Sequence, residues 1–168
     1  MSLDETSFGR HGACVHGFAP RGKPIYAAAR DVPTLVTRSV LACVSADGLV
    51  ATTEVVRGSF NSASFSLFLQ ALPVPAGTVV LLDNVAFHHT RKVQEVARAK
   101  GLELLYVPPY SPWFNPIERC FSVVKRHWYT HRDVPAAFAA LSSLKCANIF
   151  AHTLGLYGPD GLGCTENS

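Results

Sequence analysis

The 168-residue chain is predicted to fold as one α/β domain, a mixed sheet with helices packed against it, on three observations. Two β-rich runs meet at Ala46-Asp47-Gly48, and Asp-Gly between such runs is a strong signal for an antiparallel hairpin. The continuous apolar run "GTVVLLDN" is the pattern of a parallel strand covered on both faces. From that run onward, helical and strand-like segments alternate, which places crossover helices between strands of one sheet.

The elements follow in order. "TRSVLACVSADGLVATTEVVRG" supplies the hairpin. In "SFNSASFSLFLQAL", Phe65, Phe68, Leu69 and Leu72 stand at helical spacing, with Asn61 or Ser62 as the N-cap. "TRKVQEVARAKG" is a helix stopped by Gly101, and "LELLYVPP" is a strand ended by Pro108 and Pro109. A helix starting at Asn115 buries the stripe Ile117, Phe121, Val124 and Trp128, and another is expected from about Pro135 to Leu154. Residues 1–154 form the domain on this reading, and the Gly-rich residues 155–168 are expected to be a disordered tail.

Composition excludes several classes. At 48% hydrophobic and 16% charged, the chain can bury a real core. Its five cysteines are odd in number, widely spaced and without a C-x-x-C pair, which argues against a disulfide framework or a zinc ribbon. Neither a membrane span nor a signal peptide is visible, so a cytoplasmic or nuclear location and no membrane partner are expected. The net charge of +3 permits a nucleic-acid partner without requiring one. Between Arg119 and Arg132, however, the chain carries Arg119, Lys125, Arg126 and Arg132 and no acid. His127 and His131, at i and i+4, lack an evident third ligand for zinc.

Three acids stand where chemistry could use them. Asp83 ends an apolar strand, where a carboxylate needs a partner, although capping the following turn would also occupy it. Glu118 falls at the third position of the Asn115 helix, where a capping box would explain it. Pro108, Pro109, Pro112 and Pro116 restrict the approach to that helix far more than a cap requires, which indicates accurate positioning. Asp4 and Glu5 lie in a short stub at the amino terminus, where a solvated end is the plainer reading. Were such acids to converge, two carboxylates ~4 Å apart would repel by roughly 4 kcal/mol at an effective dielectric of 20 and would call for cations. All-oxygen ligation favours Mg²⁺ or Mn²⁺.

"DETSF", "LLDNVAFHHTRKV" and "YVPPYSPWFNPIERCFSVVKRHW" closely resemble the catalytic domain of the mariner superfamily of DDE transposases and its bacterial insertion-sequence relatives. The likeness runs from Asp4 to about His131, and both the block Pro108 to Lys125 and the 34 residues between Asp83 and Glu118 are specific to that family. It implies a ribonuclease H-like fold in which the first and fourth strands are parallel neighbours. It further implies Asp4, Asp83 and Glu118 as the catalytic triad holding two Mg²⁺ (or Mn²⁺) ions. Asn84, His88 and Asn115 would position those acids, while Arg119, Lys125 and Arg126 would meet DNA. The activity implied is metal-dependent hydrolysis of DNA phosphodiesters and strand transfer in transposition. Double-stranded transposon-end and target DNA, a homodimer and a separate upstream helix-turn-helix region are the partners implied. The first strand normally begins several residues before its aspartate, so a truncated strand is expected here, leaving ladder groups on its neighbours unpaired at about 1 to 3 kcal/mol each. That truncation supports the alternative of a catalytically inactive module kept for DNA binding or oligomerisation.

Overall fold

The computed structural model describes residues 1–9, 20–23 and 37–155. Its strands are β1 (Ser2–Phe8), β2 (Arg38–Ser45), β3 (Gly48–Val56), β4 (Val79–Leu82) and β5 (Glu103–Tyr106). Its helices are α1 (Ser62–Ala71), α2 (Arg91–Lys100), α3 (Pro116–His131), α4 (Val134–Phe138) and α5 (Ser143–Thr153). The five strands form one sheet in the order β3-β2-β1-β4-β5. β2 runs antiparallel to β1 and β3, while β4 runs parallel to β1 and β5. The first and fourth strands are thus parallel neighbours at the centre, as the family resemblance implies.

Alternation along the strands divides the core into two layers. Phe8, Val40, Ala42 and Val44 pack with Ile117, Phe121, Val124 and Trp128 of α3 and with Phe138 and Phe150. Leu3, Leu41, Cys43, Val80 and Leu82 pack on the opposite face with Phe65, Leu69, Val93 and Ala97 of α1 and α2. Fully burying a side chain of this size contributes about 1.5 to 3 kcal/mol, and the predicted α3 stripe, joined by Cys120, forms the seam of the first layer.

Local signals set the element ends. Asn61 caps α1, its side chain accepting from the Ala63 and Ser64 amides, and Ser64 closes the capping box. Gly101 ends α2 in the left-handed region at φ 68°, where a Cβ would lie 2.9 Å from that of Ala76.

Two expectations are corrected. β1 carries only two residues ahead of Asp4, as expected, yet Met1 extends its pairing with β4 at that end. The Met1 amino group donates to the Val79 carbonyl at 3.0 Å, and the Leu81 amide donates to the Met1 carbonyl at 2.9 Å. β4 begins two residues before the level of Ser2, and β1 continues past Asp4 to Phe8, paired with β2 throughout. The single helix expected from Pro135 to Leu154 is two, α4 and α5. The chain turns after Phe138 to bury Leu141, and the Ser142 hydroxyl accepts from the Lys145 amide to start α5. The predicted tail from residue 156 lies outside the described residues.

Candidate active site

β1, β4 and α3 each deliver one acid to the same end of the sheet. Ser2 pairs with Leu81 in the parallel ladder, so two residues further along each chain Asp4 stands level with Asp83. Ser2, Asp4, Thr6 and Phe8 share the face of β1 turned toward α3, and α3 opens with Glu118 in its first turn. Asp83 and Glu118 border a cleft of about 360 Å³ walled by Val107–Pro112. Asp4 and Asp83 border a second pocket of about 240 Å³ with Thr6, Phe87 and His88. Asp83 belongs to both.

Asp4 is buried, at 8% exposure. Its Oδ1 accepts from the Glu5 amide at 2.7 Å and its Oδ2 from Asn115 Nδ2 at 3.1 Å. Burial, and then the charge of Asp83, push its carboxyl up to about 8 against the pull of the Glu5 amide, with Glu118 and Glu5 adding to the rise. Asn115, itself buried at 1% exposure, accepts from the Ser2 hydroxyl through Oδ1. Its side chain therefore does not cap α3, although the residue occupies the cap position; it ties the start of α3 to β1 instead. Nor does Glu118 close a capping box: α3 has no side-chain cap, and the exposed carboxylate faces the cleft.

His88, 2% exposed, is held between Phe65 and Phe87 with ring centroids at 4.2 and 4.3 Å. Its Nδ1 lies 2.7 Å from Asp83 Oδ1 and 3.3 Å from the Asp83 carbonyl. The ring nitrogen thus faces both oxygens of Asp83, and buried Oδ1 has no other polar partner. Asn84 also lines the cleft, but its side chain is taken by His89 Nε2 at 2.5 Å, and His89 stacks on Tyr106 at 4.1 Å. Of the expected positioning residues, His88 and Asn115 touch the acids and Asn84 turns away from Asp83.

This donor set fits a hard divalent cation. Asp83, a neighbouring carboxyl raised by burial and by the Asp83 charge, and a third carboxylate in the same cleft are oxygen ligands with no Lys or Arg paired to them among the described residues. Among the described residues, no three His, Cys, Asp or Glu side chains converge on one point as they stand, so the acids meet in pairs about Asp83. His127 and His131 stack on each other, ring centroids 6.4 Å apart, with no third ligand.

Arg119 and Arg126 are exposed on α3. Lys125 stands seven positions after Glu118, two turns or about 10 Å along the same stripe, beside Ser7, Phe8 and Trp128. Sequence reasoning missed Ser2, which acts across 113 positions. It also missed His89, whose role depends on Tyr106 from another strand.

Residues 1–138 match the family described as DDE superfamily endonuclease. No curated protein matches the chain in sequence. Among solved structures, the chain is similar to the Mos1 transposase paired-end complex with left transposon end, at TM-score 0.73 and 17% identity over 92% of this chain and 52% of that one. It is similar to the Mos1 Strand Transfer Complex at TM-score 0.70 and 18% identity, over 91% and 50% of the two chains. The Mos1 transposase catalytic domain with Raltegravir and Mg gives TM-score 0.63 and 14% identity over 92% and 77%. The chain spans about half the length of the transposase chains in the first two structures. These likenesses are of fold, and the mixed sheet flanked by helices is ribonuclease H-like. With the family match running from the first residue through α3 and into α4, across all three acids, the chain belongs to the DDE superfamily endonucleases.

Proposed function

We propose that this chain is the catalytic domain of a DNA transposase, a divalent-metal-dependent endonuclease and strand transferase in which Asp4, Asp83 and Glu118 are the catalytic acids. The observation that carries the reading is the placing of Asp83 between Asp4 on one side and Glu118 on the other, with His88 Nδ1 2.7 Å from its Oδ1. Asp4, Asp83 and Glu118 would hold two Mg²⁺ or Mn²⁺ ions. When bound, such a pair makes water or a 3′-hydroxyl a better nucleophile and stabilises the leaving oxygen.

The chain's own residues set up that chemistry. Asn115 fixes Asp4 through Oδ2 and registers α3, and so Glu118, against β1. His88 sits in an aromatic slot and holds Asp83 from behind. Lys125 continues the stripe from Glu118, Arg119 and Arg126 lie on the stripe beside it, and the three neutralise backbone phosphates, positioning the duplex without reading its sequence. In hydrolysis, water attacks phosphorus and the bond to O3′ breaks, leaving a 3′-hydroxyl and a 5′-phosphate. In strand transfer, that hydroxyl attacks a target phosphodiester, whose own O3′ leaves. Transposon-end and target DNA are the substrates on this reading, with a homodimer and an upstream helix-turn-helix region supplying end recognition.

A second reading, a DNA-binding or oligomerisation module without activity, is favoured by the absence of any three-acid cluster among the described residues. Nicking of supercoiled plasmid in Mg²⁺ or Mn²⁺ separates the two. The transposase reading requires metal-dependent nicking that Asp83→Asn and Glu118→Gln reduce to background. DNA binding with equal, background nicking by all three proteins establishes the module.

A further inference from the structure

The loop that walls the cleft carries three large rings turned to solvent. Tyr110 is 96% exposed, Trp113 60% and Phe114 49%. Tyr110 lines the same cleft as Asp83 and Glu118, and Trp113, three residues on in the same loop, packs at a tilt on Phe114 with centroids 6.0 Å apart. Exposed aromatic surface of this extent contributes nothing to the core. Tyr110 also adopts φ 57°, the left-handed region, which costs a residue with a Cβ about 1 to 2 kcal/mol. The strain holds a ring out into water, and Pro108, Pro109 and Pro112 keep the loop stiff around it. Arg119 stands exposed near the start of α3, five residues after Phe114.

We infer that Tyr110 and Trp113 form a stacking platform for an unpaired nucleobase of the DNA strand whose phosphate lies at Asp83 and Glu118. Every base presents a π-face, so such a platform accepts an unstacked base of any sequence, while the cations of α3 hold its phosphates. A fully paired duplex keeps its bases stacked on one another and offers these rings nothing. The site therefore favours a frayed or single-stranded segment next to the reacting bond. This assignment rests on the proposed DNA chemistry of the cleft, but its test is independent of catalysis.

The chain has two tryptophans, and Trp128 is buried at 5% exposure, so Trp113 is the solvent-facing reporter. Tryptophan emission of the full chain carrying Asp83→Asn is titrated in EDTA with an oligothymidylate of about 12 nucleotides, and separately with a blunt duplex. The single strand is expected to quench Trp113 and to bind more tightly than the duplex. Tyr110→Ala weakens single-strand binding roughly 5- to 100-fold and Tyr110→Phe retains it. Trp113→Ala, followed by filter binding, weakens it similarly. Equal affinity for single strand and duplex, or Tyr110→Ala binding the single strand as tightly as the parent, overturns the platform. Because the parent variant cannot cut, loss of nicking in the plasmid assay and loss of stacking here are distinguishable results.

Discussion

Asp4→Asn is expected to make the metal-free protein more stable. In the fold, burial and the facing charge of Asp83 raise the Asp4 carboxyl from 3.8 to about 8. Between those two values the folded chain keeps a proton that the unfolded chain has released, so stability falls as pH rises through the interval and levels off above about 8. At pH 7 the difference amounts to about 4 kcal/mol of lost stability, and at pH 5 to under about 2 kcal/mol. An asparagine carries no such charge and can keep the contacts. Its Oδ1 accepts from the Glu5 amide, and a turned Asn115 side chain accepts from its Nδ2 while donating to the Ser2 hydroxyl. For a chain of this length, about 4 kcal/mol corresponds to a Tm increase on the order of 10 °C. Thermal melts in EDTA at pH 5 and pH 7, followed by far-ultraviolet circular dichroism, measure it. A variant that melts at or below wild type at pH 7, or a gain that is the same at both pH values, refutes the electrostatic description of the site.

Asn115→Ala removes the donor to Asp4 Oδ2 and the acceptor for Ser2, leaving buried polar groups unpaired. A loss of about 2 to 3 kcal/mol in urea unfolding is expected, with Mn²⁺ affinity lowered about 10- to 100-fold in a calorimetric titration. Ile117→Ala empties a fully buried position in the seam between α3 and the sheet. It should lower the denaturant midpoint by an amount equivalent to about 2 to 5 kcal/mol. Cys120 and Cys146 are buried thiols, with Cys120 pushed up to about 12 mainly by burial, so at pH 8 neither reacts with a thiol reagent until the chain is unfolded.

Legibility in the sequence followed the range of each interaction. The Asp47-Gly48 hairpin, the Asn61 cap and the Gly101 stop are local, and each stands where neighbouring residues predict it. The stripe Ile117, Phe121, Val124 and Trp128 was equally plain, because one helix face is fixed by spacing alone. Asn115 was half legible. Asn-Pro before an amphipathic run reads locally as a cap; the family resemblance ties the residue to the acids, and the fold adds that Asp4 and Ser2 of β1 take its side chain. The register placing Asp4 level with Asp83 joins strands more than seventy residues apart, which no local pattern encodes. The break between α4 and α5 lay within a continuous apolar run, where the Ser142 cap was outweighed by helix-forming neighbours. Asn84 was assigned to Asp83 through the family resemblance, whereas its side chain meets His89, which stacks on Tyr106 from another strand.

The central claim is that Asp83, with Asp4 and Glu118, forms a divalent-cation site in the folded chain. The melting temperature with and without millimolar Mn²⁺, for wild type and Asp83→Asn at pH 8, tests it most directly. A cation that binds only the folded state at 100 times its Kd stabilises it by about 2.7 kcal/mol. That increase is expected for wild type and none for Asp83→Asn. A wild-type melt that Mn²⁺ leaves unmoved, or an equal increase in the variant, would contradict it.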